Sequence, residues 1–309
     1  MKSRLWVVAA VVISSLFLVA GIGMAQGDKD KVGVSEWSKV IESKVQDKVA
    51  EQTADGKGLI NYEEGYIEAV GTGAPPEHLY GKPSARPMAL RAAQVDAYRN
   101  LLEVVKGVQI DSQTVVKDFV TESDTINAAV SGIVKGAKVV NKEYLSDGTV
   151  EVTVRMGMAG AFTKTVIAKT IADDKKEDRA LTPPKVKTKS AEALGEPVYT
   201  GMVVDARGLQ AKPAMSPKVL DENGKVVYGT LIVNKDYAVK DGICGYSRGL
   251  EQAQSNQRVA NNPVVVKGIR AEGAAQSDII ISNDDAQNMR KIKENQTLLQ
   301  KCRVMIVLD

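Results

Sequence analysis

Trp37, Ile41, Val45 and Val49 recur at four-residue steps, with Glu, Lys and Asp between them. That spacing predicts an amphipathic helix of about four turns, with Ser35 placed to cap it. These four residues form the candidate interaction face of the chain; the alternative is that the helix packs on its own domain. Residues 62–73, YEEGYIEAVGTG, read as a strand, and Gly71 and Gly73 at its end let the chain turn. A loop follows, stiffened by Pro75, Pro76 and Pro83. Leu90, Ala93, Ala97, Leu101 and Val104 then repeat at helical spacing. Pro87 lies in the first turn of this helix, where a missing N–H costs little, and Gly107 stops it.

Residues 108–116, VQIDSQTVV, read as a strand. A second helix starts at a cap on Ser123 or Asp124, presents Ile126, Ala129, Val130 and Ile133, and ends at Gly136. Residues 137–158 read as a hairpin around Asp147-Gly148. In its second strand Val150, Val152, Val154, Met156 and Met158 alternate with Thr149, Glu151, Thr153 and Arg155, a half-buried pattern. Residues 60–170 thus predict a small α+β domain, an antiparallel sheet with helices on one face.

Residues 171–196 are charged, proline-bearing and without apolar period, which predicts a solvated linker. The periodicity resumes in residues 197–309. Strands are predicted in YTGMVVDARG, in SPKVLDENGKVVYG as a hairpin around Asn223-Gly224, in NPVVVKGIRAEG and in SDIIISN. Ser282 or Asn283 caps a helix reaching about Lys301, and the apolar CRVMIVLD predicts a central strand. The fold class is α+β: two small domains, each an antiparallel or mixed sheet covered by helices.

Composition adds the compartment. The first 25 residues carry Lys2 and Arg4, then an apolar run to Met24, then Gly23-Met24-Ala25 before Gln26. This predicts a secretory signal peptide over residues 1–25 and a periplasmic or secreted protein. The run is long enough to span a bilayer, so an uncleaved anchor is the alternative. No cysteine stands directly after the run, so a lipoprotein signal is not expected. Residues 26–59 are a polar lead and the amphipathic helix. Without Lys2 and Arg4 the chain carries 39 basic against 38 acidic residues, which offers no field for nucleic acid. Aromatics are 5% of the chain, so its cores must be built from Val, Ile, Leu and Ala. Cys244 and Cys302 could pair after export or stay free and buried. With one histidine they cannot make a zinc set, and no calcium loop occurs.

Few residues suggest chemistry. Residues 71–86, GTGAPPEHLYGKPSAR, lie between a strand and a helix, but Pro76 and Pro83 fall where phosphate loops need glycine or a hydroxyl residue. His78 has no evident orienting partner and reads as a loop residue. Asp173-Asp174 falls in the linker; Asp284-Asp285 falls in a helix's first turn, where negative charge suits the dipole. Asp205 and Arg207 end an apolar strand beside Gly208. They are the candidate ligand site or, alternatively, a structural ion pair. No catalytic, metal or cofactor-binding residue is expected.

One stretch resembles a known family. Gly71 and Gly73, the A-x-x-D-A-Y-R-x-L-x-E run at 93–103, V-K-G-A at 134–137 and D-G-T-V-E-V-x-V at 147–154 resemble the N-terminal domain of flagellar assembly protein T. They are also similar to the Lpp-twenty outer-membrane lipoproteins. The resemblance covers residues 60–160. It implies a non-enzymatic envelope domain, associated with rings around the flagellar motor. The expected function is therefore self-assembly or docking on protein partners of the cell envelope, through the Trp37 helix and the exposed sheet edges. A periplasmic ligand-binding module using the C-terminal domain is the alternative. Contact with membrane would come only through an uncleaved signal.

Overall fold

The computed structural model describes residues 36–177 and 186–309. The signal peptide, the polar lead, the Ser35 cap and part of the charged linker lie outside the described residues. The first half runs α1 (Glu36–Asp47), β1 (Ala50–Gln52), β2 (Gly58–Asn61), β3 (Tyr66–Gly73), α2 (Ala85–Lys106), α3 (Val116–Glu122), α4 (Asp124–Lys135), β4 (Lys138–Tyr144), β5 (Val150–Gly157) and α5 (Ala161–Glu177). Its sheet is antiparallel in the order β1-β2-β3-β5-β4. Residues 50–59, read as part of the lead and helix, supply β1 and the start of β2. The strand expected over 62–73 begins only at Tyr66, because residues 62–65 form the turn from β2.

Period-two alternation divides the central strands cleanly. Ile67 and Ala69 of β3 and Val150, Val152, Val154 and Met156 of β5 face α2, where Ala89, Ala93, Ala97 and Leu101 form the buried stripe. Gly71 and Gly73 face it too. A Cβ on Gly71 would stand 2.0 Å from the Ala97 N and 2.5 Å from the Ala93 O; on Gly73 it would stand 2.3 Å from the Ala89 O. Neither glycine has positive φ. Their role is therefore close approach of helix to sheet, not a turn as the sequence suggests. Glycine opposite alanine brings α2 onto the sheet with few aromatics to fill space.

The opposite face is covered by α1, so helices lie on both faces rather than one. Trp37 and Ile41 are buried against Leu59, Tyr66 and Val70, and Val45 packs beside them. Val49 lies beyond the end of the helix and belongs to the main core. The candidate interaction face is thus consumed inside its own domain, since the sheet's second face has apolar residues of its own to cover. Glu68, on the same face, is buried and paired with Lys44 at 2.9 Å and Arg155 at 2.5 Å.

Residues 108–116 make no strand. Gln109 and Val115 form a single bridge around a turn in which the Asp111 carboxylate accepts from the Gln113 and Thr114 N–H groups. Side-chain capture of the backbone replaces a ladder here. The next helix, α3, has no sequence signal of its own. Ser123 does cap α4, accepting from Ile126 N, and Gly136 ends it.

The second half runs α6 (Ala191–Leu194), β6 (Gly201–Asp205), β7 (Val219–Asp221), β8 (Val226–Tyr228), α7 (Lys235–Asp241), β9 (Gly245–Ser247), α8 (Leu250–Gln254), β10 (Pro263–Glu272), β11 (Asp278–Ile281), α9 (Asn283–Lys291), α10 (Lys293–Gln300) and β12 (Val304–Val307). Its seven-stranded mixed sheet has the order β8-β7-β11-β10-β6-β12-β9. β12 is paired on both sides and wholly buried, as its unbroken apolar run requires. Asn223-Gly224 makes the β7–β8 turn, with Gly224 at φ 74°. The final helix breaks at Ile292, whose extended backbone separates α9 from α10.

Much of the presumed linker is structure. α5 continues to Glu177. Asp174, read as solvated charge, is buried; it binds Lys218 Nζ at 2.9 Å and accepts from the Thr230 hydroxyl. Beyond residue 185, Lys189 bridges Ile292, and Ser190 caps α6. The halves also meet through Met215 N to Gln109 O at 2.9 Å, Ser112 Oγ to Asp278 at 2.5 Å and an edge-on Tyr62–Tyr246 contact at 6.0 Å. One apolar cluster runs through both.

Candidate functional site

Asp205 and Arg207 form a closed pair at the exit of β6. Arg207 Nε and Nη2 each donate to the Asp205 carboxylate at 2.7 Å, a two-pronged geometry. That contact holds the Asp205 carboxyl below the ordinary aspartate range. Gly208 N donates to the Asp309 carboxylate at 2.9 Å. The pair therefore clips the strand exit beside Asp309, away from the crevice between the halves. His78 lies exposed in a short 3-10 turn, Glu77–Leu79. Asp284 and Asp285 stand in the first turn of α9, where Ser282 Oγ accepts from Asp285 N at 3.1 Å.

Cys244 and Cys302 are both free thiols. Burial pushes Cys244 up to about 12 and Cys302 up to about 11, so neither is a thiolate at neutral pH. Cys244 borders a crevice of about 270 Å³ between the halves, lined by Tyr62, Met158, Met215, Tyr246, Arg258 and Met305 among others. Arg258 is committed to structure there: it donates to the carbonyls of Asp241, Gly242 and Cys302. Tyr246 donates to Ala214 O at 2.8 Å and accepts from Ala214 N at 3.0 Å. Among the described residues no group of three His, Cys, Asp or Glu could hold a metal ion.

The sheet edges differ in how much backbone they leave open. β9 turns Tyr246 onto Tyr62 of the first half. β8 is wholly buried, and Arg290 takes the carbonyls of Lys225 and Val226 beside it. β1 has three residues. β4 has seven and is mostly exposed. Leu145 N donates to Thr149 O at 2.8 Å, so in this antiparallel ladder Leu145, Glu143 and Asn141 bond inward. Lys142 and Tyr144 then turn their N–H and C=O away from β5.

Aromatic surface adjoins this edge. Tyr144 is 47% exposed, with the Arg86 guanidinium 5.2 Å from its ring centre. Tyr80 is 55% exposed and its ring borders Gly148 in the β4–β5 turn, next to Pro75. Residues 71–86 carry Tyr80 and Arg86 to the edge of the sheet. Tyr and Arg are the residue types that anchor protein interfaces. The sequence marks the hairpin but gives no sign that, among the described residues, its first strand stands at the end of the sheet. The lysines of KVVNKEY, at 138 and 142, are the one local hint.

Residues 201–309 match the family profile described as Treponema pallidum Tp0624, second domain. The match spans the whole seven-stranded sheet from β6 to β12 and lies outside the residues that carry the flagellar resemblance. No curated protein matches the chain.

Proposed function

We propose that the chain is an exported, non-enzymatic envelope protein that acts by docking on a protein partner. The resemblance of residues 60–160 suggests the periplasmic surroundings of the flagellar motor as the setting. One observation carries the reading: Tyr80, Arg86 and Tyr144 lie exposed beside a seven-residue strand edge, while the Trp37 face is covered from within. Loss of both rings by Tyr80→Ser with Tyr144→Ser should abolish function in cells without lowering thermal stability. A deletion strain complemented by this variant, scored for motility and envelope integrity, tests it. Full complementation at equal protein level would sink the reading.

The runner-up is a periplasmic ligand-binding module, favoured by the crevice between the halves, a usual place for ligands. It would use Tyr246 and its neighbours, not Asp205 and Arg207. A panel of small metabolites that leaves the melting temperature unmoved removes it.

A further inference from the structure

A second cavity between the halves, of about 410 Å³, shares no lining residue with the crevice at Tyr246. Glu51, Gln109 and Ser112 line it from the first half, and Lys212, Pro213 and Ala275 from the second. Backbone bonds fix the walls: Ala275 N donates to Ser112 O at 2.9 Å, Met215 N to Gln109 O at 2.9 Å and Lys212 N to Gln276 O at 3.0 Å. Gly273 lets the halves close up here, since a Cβ on it would stand 2.2 Å from the Ser112 Cβ. Glu51 lies opposite Ile60 in the β1–β2 pair, and opposite residues share a face of the sheet. Ile60 belongs to the core, so Glu51 turns to the same side and is half-buried.

Three other carboxylates at the seam each accept two hydrogen bonds. Glu63 takes Val49 N and Gln252, Asp174 takes Lys218 and Thr230, and Asp278 takes Ser112 and Lys218 N. Glu51 and Lys212 differ: among the described residues neither side chain makes a hydrogen bond or an ion pair. They are still close enough to feel each other. Burial raises the Glu51 carboxyl above the ordinary glutamate value, and Lys212 only partly draws it back. One carboxylate and one ammonium thus line one cavity without meeting.

We infer that this cavity binds a small zwitterion, an amino acid or a dipeptide, with its ammonium on Glu51 and its carboxylate on Lys212. The inference goes beyond the docking reading and does not depend on it. Each charge of the cavity would gain the partner that the fold withholds, and a desolvated carboxylate without one is costly to keep. A singly charged ligand does not answer the pair: an anion would meet Glu51, and a cation would meet Lys212. Gln109 gives its Nε2 to the Asp111 and Thr114 carbonyls, which leaves its Oε1 as a second acceptor for the ammonium. The volume lies within the range of small-ligand sites, and both halves must be in place to form it.

The probes are glycine and glycylglycine, titrated at low salt into the purified chain and followed by amide shifts. N-acetylglycine, which lacks the ammonium, and glycinamide, which lacks the carboxylate, are the controls. Shifts from at least one zwitterion should concentrate on Glu51, Gln109, Ser112, Lys212 and Ala275. Each control should bind at least about tenfold more weakly, the loss expected for one charge-assisted contact. Glu51→Gln and Lys212→Gln should each weaken the zwitterion about tenfold or more without lowering the melting temperature of the free protein, since neither side chain holds a bond in it. Glu51→Gln should further weaken glycinamide but not N-acetylglycine, and Lys212→Gln the reverse. Shifts nowhere, or only at Tyr246 and the rest of the other crevice, overturn the inference. So does a control that binds as well as the zwitterion, or a zwitterion that binds both variants as tightly as the unaltered chain. If Tyr80→Ser with Tyr144→Ser abolishes function in cells while both zwitterions leave Glu51 and Lys212 unmoved, docking stands and the zwitterion site fails.

Discussion

Gly71 shows how a residue can be visible in a sequence and still be misread. A strand ending in G-T-G before prolines looks like a turn or a phosphate loop, because both need backbone without side chains. The reason is packing: the α2 backbone occupies the space a side chain would fill. Gly71→Ala should therefore destabilise by about 1–3 kcal/mol through forced displacement of helix from sheet. Gly132, in the middle of α4 with open space around it, is the control. Gly132→Ala should stabilise by about 0.5–1 kcal/mol, since alanine loses less freedom in a helix. Urea unfolding of the two variants separates packing from propensity; equal effects would refute the close-approach account.

Helix α1 shows the same gap at the scale of an element. Its four-residue spacing shows that one face is apolar, but not what covers that face. Tyr66, Val70 and Leu59 do, and none of them carries a mark that they point away from α2. Ile41→Ala should cost about 2–5 kcal/mol, the range for truncating a buried aliphatic side chain. A helix reserved for a partner would show almost no loss, so calorimetry decides the matter. The hairpins at Asp147-Gly148 and Asn223-Gly224, the α2 stripe and the apolar β12 were all legible, because each is dictated within a few neighbouring residues. The 108–116 turn was not, because Asp111 takes over backbone donors that an apolar pattern would assign to a ladder. α3 was not legible either, being too short to show a period.

For the whole molecule, one contact between the halves adds its own pH response. Burial raises the Asp278 carboxyl above the ordinary aspartate value, even though the Ser112 hydroxyl and the Lys218 N–H oppose the shift. The folded state therefore holds this proton more tightly than the unfolded chain does. The resulting stabilisation is full below the unfolded aspartate value and declines as pH rises through the folded one. Asp278→Asn should flatten that fall in a series of denaturation midpoints; an unchanged slope would mean that Asp278 is not its source. The sign is opposite to that of a salt-bridged surface carboxylate such as Asp205, whose contribution is lost as pH falls.

Local physics already contained the α+β class, two sheets with their own helices, most strand and helix positions and the turn residues, because period, capping and turn chemistry act between neighbours in the chain. Tertiary structure alone decided four things: the Trp37 face is interior, Asp174 is a buried lock rather than linker charge, Asp205 and Arg207 satisfy each other, and β4 ends its sheet. Each depends on which distant surface arrives, or fails to arrive, at a given face. Burial, pairing and open edges are properties of that arrival, and no local pattern records them.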